Sequence, residues 1–214
     1  ITNGCQAFWK GIEVWGSSSD IQTTTYQGRV ITKNGATIEH ARVGVALWHP
    51  GYHEETGGII YSDSTYFKNN LKDVEFYDYQ NFDVLSGDPV PNESYFTNVT
   101  FEWTDDFMEE FPLGHVTMYK VDGIRFRGCM FADNRTAPVS RYHTDYAIGN
   151  SGIRSIDAQY FVLPRVYETG MDFGDWTPTT FVNLDFGIYA SNVSTERNIA
   201  VDRNFFKNNL YGIE

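Results

Sequence analysis

The pentapeptide FKNNL stands at residues 67–71 and again at residues 206–210. Extended outward, the two copies align IIYSDSTYFKNNLKDVE (59–75) with NIAVDRNFFKNNLYGIE (198–214), so that Ile60 matches Ile199, Asp63 Asp202, Val74 Ile213 and Glu75 Glu214. The shared skeleton is an aliphatic residue, a Phe seven positions later, an Asn three after that and an aliphatic residue four further on. Ile124, Phe131 and Asn134 fit its first three positions. Ile31, Ile38, Ala41 and Val45 fit with Ala in place of Asn, and Ile153 with Tyr160 is a weaker copy.

Offsets of seven could be heptads on a helix, but Gly44, Gly58, Gly123, Gly128 and Gly212, the paired Asn residues and the β-branched residues all weaken a helix interior. Strand alternation is visible instead in Val99, Phe101 and Trp103 and in Ile124 and Phe126. On a strand an odd offset puts Ile60 and Phe67 on opposite faces unless the chain turns between them. A corner near Asp63 or Ser64 supplies that turn. A second is expected at Asn70, because Asn tolerates left-handed backbone and bonds its own main chain. Short strands separated by corners describe a parallel β-solenoid whose circuits stack at about 4.8 Å. A sandwich would show hairpin turns at regular spacing and no fixed ladder. The expected fold class is therefore all-β, a right-handed parallel β-helix with loop insertions, forming one domain over residues 1–214. Phe67, Phe131 and Phe206 should point inward, with Asn70, Asn134 and Asn209 at one corner.

With 214 residues and 41% hydrophobic content the chain can close a core, and 16% aromatics, including 16 Phe and 14 Tyr, favour strands. A net charge of −12 repels phosphate backbones and anionic lipid, which argues against nucleic acid as a partner. No apolar run is long enough for a transmembrane helix, so membrane insertion is not expected. The opening ITNGCQ has no Met and the ending YGIE reads as part of a strand, so the sequence reads as a piece of something longer. Cys5 and Cys129 sit in unlike contexts and are expected to be free and buried. The N-x-S/T sequons at Asn92, Asn98, Asn134 and Asn192 carry little weight in so Asn-rich a chain.

The segments WKGIEVWG, NGATIEHARVGV and GGIIYSDSTYFKNNLKDVEF, in that order, resemble the right-handed parallel β-helix repeat proteins secreted by Bacteroidota-type bacteria, often large chains ending in a type IX sorting domain. The resemblance covers most of residues 8–80 and the last 30 residues. It implies export and a place outside the cell or on its surface. Such motifs are scaffold, and imply fold more than activity.

Function on such a scaffold sits in the inserts, because loops leaving one corner of successive circuits line up on one face. Four inserts stand out: WHPGYHEETGG (48–58), QNFDVLSGDPVPNE (80–93), RTAPVSRYHTDYAIGN (135–150) and PRVYETGMDFGDWTPTT (164–180). The last two both leave just after the same repeat position, following Asn134 and Leu163, and should therefore be neighbours in space. Together they offer Tyr142, His143, Asp145, Tyr146, Arg165, Tyr167, Asp172, Asp175 and Trp176, a mix of flat rings and hydrogen-bonding groups suited to a sugar. Tyr142, Tyr146 or Trp176 should be exposed there.

The remaining clusters point elsewhere. His49, His53, Glu54 and Glu55 read as solvated charge rather than a metal site. Asp105, Asp106, Glu109 and Glu110 do not alternate as calcium loops do. No cofactor is called for, with calcium the one open alternative. Pectin-cleaving hydrolases of this fold class carry an Asp pair, Gly-His-Gly and a basic triplet; Asp105-Asp106 is followed here by Gly114-His115-Val116 and no such triplet. The expected function is a non-catalytic β-helix domain of a secreted or cell-surface protein, structural, adhesive or carbohydrate-binding. The alternative is a lyase or glycoside hydrolase of acidic polysaccharides; in a lyase, Arg141 or Arg165 beside Asp172 and Asp175 would serve as the basic residue that takes the proton.

Overall fold

A computed structural model describes residues 1, 7–109, 111–137, 150–166 and 175–214. Three parallel sheets carry the chain. The first comprises Ile12–Glu13, Val43–Ala46, Lys72–Phe76, Val116–Tyr119, Ser151–Ile156, Phe186–Ser191 and Tyr211–Ile213. The second comprises Arg29–Thr32, Ile59–Asp63, Tyr95–Thr97, Asp122–Arg127, Gln159–Leu163 and Ile199–Val201. The third comprises Thr37–Glu39, Tyr66–Lys68, Thr100–Trp103, Met130–Asp133, Thr180–Val182 and Phe205–Lys207. The chain visits first, second and third sheet in rotation, and each strand pairs with its counterpart one circuit away. The class is all-β with parallel sheets, as the sequence predicts; none of the described residues is α-helical.

The register makes ladders of like residues. In the third sheet Ile38, Phe67, Phe101, Phe131, Phe181 and Phe206 are successive partners. Neighbouring rings lie 4.7 to 5.2 Å apart, tilted by no more than 17°. The expectation for Phe67, Phe131 and Phe206 holds, and each fully buried ring contributes about 1.5 to 3 kcal/mol. Val45, Val74, Val116, Ile153 and Ile188 form the facing ladder of the first sheet. Small residues let the two ladders approach: a Cβ on Gly152 would lie 2.7 Å from the Phe181 ring, and one on Gly187 2.6 Å from that of Phe206.

Single left-handed residues make the tight corners. Between the second and third sheets these are Ser64, Asn98, Gly128 and Arg203, with φ from 50° to 59°. Ser64 is one of the two residues predicted. Between the third and first sheets the turn residue is Asn69 (φ 53°), and Asn208 (φ 56°) in the last circuit, not the following Asn. Asn70 instead points inward and is fully buried. Asn134 sits at the same corner but faces solvent, its amide donating to Glu102 Oε2 at 3.1 Å. Asp133, one position earlier, is fully buried and held by Arg135.

Tyr160 corrects the repeat assignment. It pairs with Ile124 in the second sheet, while Phe131 belongs to the third. The insert 135–150 therefore follows a third-sheet strand and the insert 164–180 a second-sheet strand, and the two leave from different corners. The loops predicted to be neighbours lack the common exit on which that prediction rested.

Candidate functional site

The corner between the first and second sheets is where inserts accumulate. Residues 14–28, 47–58 and 77–94 leave it in successive circuits, followed by the short turns at Lys120 and Asp157 (φ 50° and 48°) and the loop 192–198. Stacked exits hold these loops side by side. A groove of about 690 Å³ lies between them, with Ser18, His53, Glu54, Tyr77, Gln80 and Pro89 in its walls. A second depression of about 560 Å³ shares Gln80 and Pro89 and runs on to Asp122, Asp157, Gln159 and Arg197. The inserts 48–58 and 80–93, two of the four predicted from the sequence, thus meet here.

The floor is rigid because its polar groups are satisfied. Tyr79 is buried, and its hydroxyl donates to the Asp20 carbonyl at 2.7 Å. Burial raises that phenol well above its ordinary value. Asn81 accepts from the Gln22 amide at 2.9 Å and donates to the Pro91 carbonyl at 3.1 Å. Gln27 spans the first loop, accepting from Ser17 N–H and donating to the Ser17 and Asp20 carbonyls. These amides take the place of strand pairing where the chain leaves the sheets.

Along the upper wall run aromatic rings. Trp48 and Tyr77 stack at 4.7 Å, Tyr77 lies 5.0 Å from His53 and 5.3 Å from Tyr119. The ladder register explains the row, since Phe76 pairs with Met118 and so places Tyr77 beside Tyr119 on the outer face. His53 is exposed and Tyr77 half-buried, which leaves ring surface available to a ligand. Asp122 lies 3.1 Å from the Arg197 guanidinium; burial nevertheless raises its carboxyl above the ordinary value, against the pull of Arg197. Lys120 sits 3.7 Å from Asp78, and its ammonium is held above its usual value first by the bond to Tyr119 and then by Asp78.

Of the predicted ligand-binding residues, Tyr142, His143, Asp145, Tyr146, Tyr167 and Asp172 lie outside the described residues. Arg165 begins a short antiparallel pair in which Val166 faces Trp176. Trp176 is half-buried, 6.3 Å from Phe205, with the Arg203 guanidinium 5.6 Å from its ring. Asp175 is exposed. His49 and His53 enter different stacks, His49 between Trp15 (3.9 Å) and Tyr52 (4.6 Å), where it also meets Glu55 at 2.6 Å. Asp105 accepts from the backbone and hydroxyl of Thr136, which holds its carboxyl below the ordinary value. His115 is sealed in the core, stacked on Trp103 at 3.5 Å and bonded to Asp73 at 2.6 Å.

The sequence reading missed Tyr77, Asp122, Asp157 and Gln159, which belong to strand ends and short turns rather than to a predicted insert. Their signal was the register alone. Comparison with protein-family models, curated proteins and solved structures finds no match to the chain. The resemblance to secreted Bacteroidota repeat proteins therefore rests on the quoted segments alone.

Proposed function

We propose that the chain is a non-catalytic, right-handed parallel β-helix domain of a secreted or cell-surface protein, and that it binds carbohydrate along the groove at its first-to-second corner. Rotation of the chain through three parallel sheets is what a β-helix requires, and parallel crossovers are right-handed in nearly all proteins. The observation that carries the binding reading is the wall of His53 and Tyr77 above the amides of Gln80 and Gln159. Flat rings with partly free faces beside hydrogen-bonding side chains are what a sugar's apolar face and hydroxyls need. The export reading rests on the resemblance.

Cleavage is the second reading, and one observation favours it: Asp122, with its raised carboxyl, shares a depression with Asp157. Two carboxylates flanking a bond are the machinery of glycoside hydrolysis. A glycan array separates the readings. The account expects retention of a glycan that is released intact and is lost from Tyr77→Ala. A blank array, or binding untouched by Tyr77→Ala, overturns the groove; shortened products that disappear with Asp122→Asn make the protein an enzyme.

A further inference from the structure

The charge along the groove selects among glycans. Every circuit from the second to the sixth contributes one carboxylate to its lining: Glu54, Asp78, Asp122, Asp157 and Glu196. Adjacent circuits are separated by about 4.8 Å, close to the length of one sugar ring. Against these five carboxylates the lining holds one guanidinium, Arg197. That group is already engaged by Asp122 and by the Asp157 carbonyl. Asp78 has Lys120 at 3.7 Å and Asp157 feels the same ammonium at longer range, whereas Glu54 and Glu196 make no ion pair among the described residues. A uronate polymer laid along this wall would set carboxylate against carboxylate with no cation to spare, and like charges at close range cost energy even under physiological screening. A polymer carrying ammonium groups would instead meet an excess of carboxylates along the wall.

Resting on the reading of the groove as a carbohydrate site, we infer that its ligand is an amino-sugar polymer carrying free amines. The aromatic wall takes the ring faces and the carboxylates take the ammonium groups. Asp157 is suited to this because its backbone is fixed by the left-handed turn and by the Arg197 guanidinium on its carbonyl. One carboxylate oxygen accepts from the Val193 amide at 2.7 Å, which aims the group. Glu196, exposed on the neighbouring loop, supplies a solvent-facing charge.

The test is calorimetric titration of the 214-residue protein with a glucosamine oligomer, its N-acetylated counterpart and a galacturonate oligomer, at physiological ionic strength. The glucosamine oligomer should bind more tightly than the acetylated one. The double variant Asp157→Asn/Glu196→Gln should weaken glucosamine binding about five- to tenfold, as loss of two exposed ion pairs implies, and leave the acetylated oligomer unaffected. Glu109→Gln, which removes an exposed charge outside the groove, should change nothing. Equal affinity for the two amino-sugar forms would overturn the inference while leaving the groove a neutral-glycan site. Preference for galacturonate, or an equal loss in Glu109→Gln, would overturn it as well. Absence of binding to every oligomer would remove the groove reading itself.

Discussion

Asn70 and Asn209 make the same pair of hydrogen bonds at opposite ends of the molecule. Asn70 Oδ1 accepts from Ala41 N–H at 2.8 Å while its Nδ2 donates to the Ile38 carbonyl at 2.9 Å. Asn209 accepts from Leu184 N–H at 2.9 Å and donates to the Phe181 carbonyl at 3.0 Å. Each amide clamps the corner of the circuit before it, satisfying a donor and an acceptor that no strand reaches. Asn70→Ala leaves both buried and should cost about 3 kcal/mol, whereas Asn209→Ala, half-buried in the last circuit, should cost about 1 kcal/mol. Urea unfolding of the two variants measures the difference; equal losses would mean that the clamp is not what the burial matters to.

Phe131 lies between Phe101 and Phe181 at 4.7 and 4.8 Å. Phe131→Ala should cost about 3 to 5 kcal/mol, the range for emptying a packed aromatic site. Phe205, which flanks the inward Phe206 on the last strand of the same sheet, is 58% exposed, and Phe205→Ala should fall within about 0.5 kcal/mol of the parent. A loss under about 1 kcal/mol for Phe131→Ala would contradict the ladder.

The Asp73–His115 pair has no exposed side-chain surface. The Ala132 carbonyl 3.2 Å from Nε2 can only accept, so that nitrogen carries a proton and Nδ1 faces Asp73. Burial raises the Asp73 carboxyl, opposed by His115 and by the amide of Asn70. Asp73→Leu strands His115 and should cost about 3 to 5 kcal/mol, as breaking a buried pair does. Asp73→Asn offers Nδ1 a neutral donor and should cost much less. Thermal unfolding at neutral pH ranks the two, and the reverse order would contradict the assigned proton.

Burial pushes the Cys129 thiol up to about 12. A group whose value is higher in the folded state stabilises fully below its unfolded value, and that contribution is lost as pH rises towards the folded one. Folded stability should therefore decline from the ordinary thiol range upward towards pH 12, and Cys129→Ala should flatten part of that slope. At pH 8 the native thiol should resist a disulfide reagent until the protein is unfolded; rapid labelling of native protein would place Cys129 at the surface.

The Phe ladder and the Ser64 corner were legible because one residue at a fixed offset carries each. Tyr160 was misplaced because its spacing from Ile153 imitates the repeat, although Ile153 and Tyr160 lie in the first and second sheets and the repeat's aliphatic residue and Phe in the second and third. The principle that loops leaving one corner meet was sound, but it applied to the inserts 48–58 and 80–93 rather than to the later pair. Asp122, Asp157 and Gln159 gave no local signal, since what unites them is alignment across circuits, which a chain read residue by residue does not display. Likewise Asp73 and His115 are brought together only by the pairing of Val74 with Val116 beside them.

Hydrogen exchange with and without a glycan selected on the array tests the central claim most directly, because it reports where the ligand lies. The account predicts added protection confined to residues 48–58, 77–82, 119–123 and 157–159, absent in Tyr77→Ala. Protection elsewhere with these segments unchanged would contradict it.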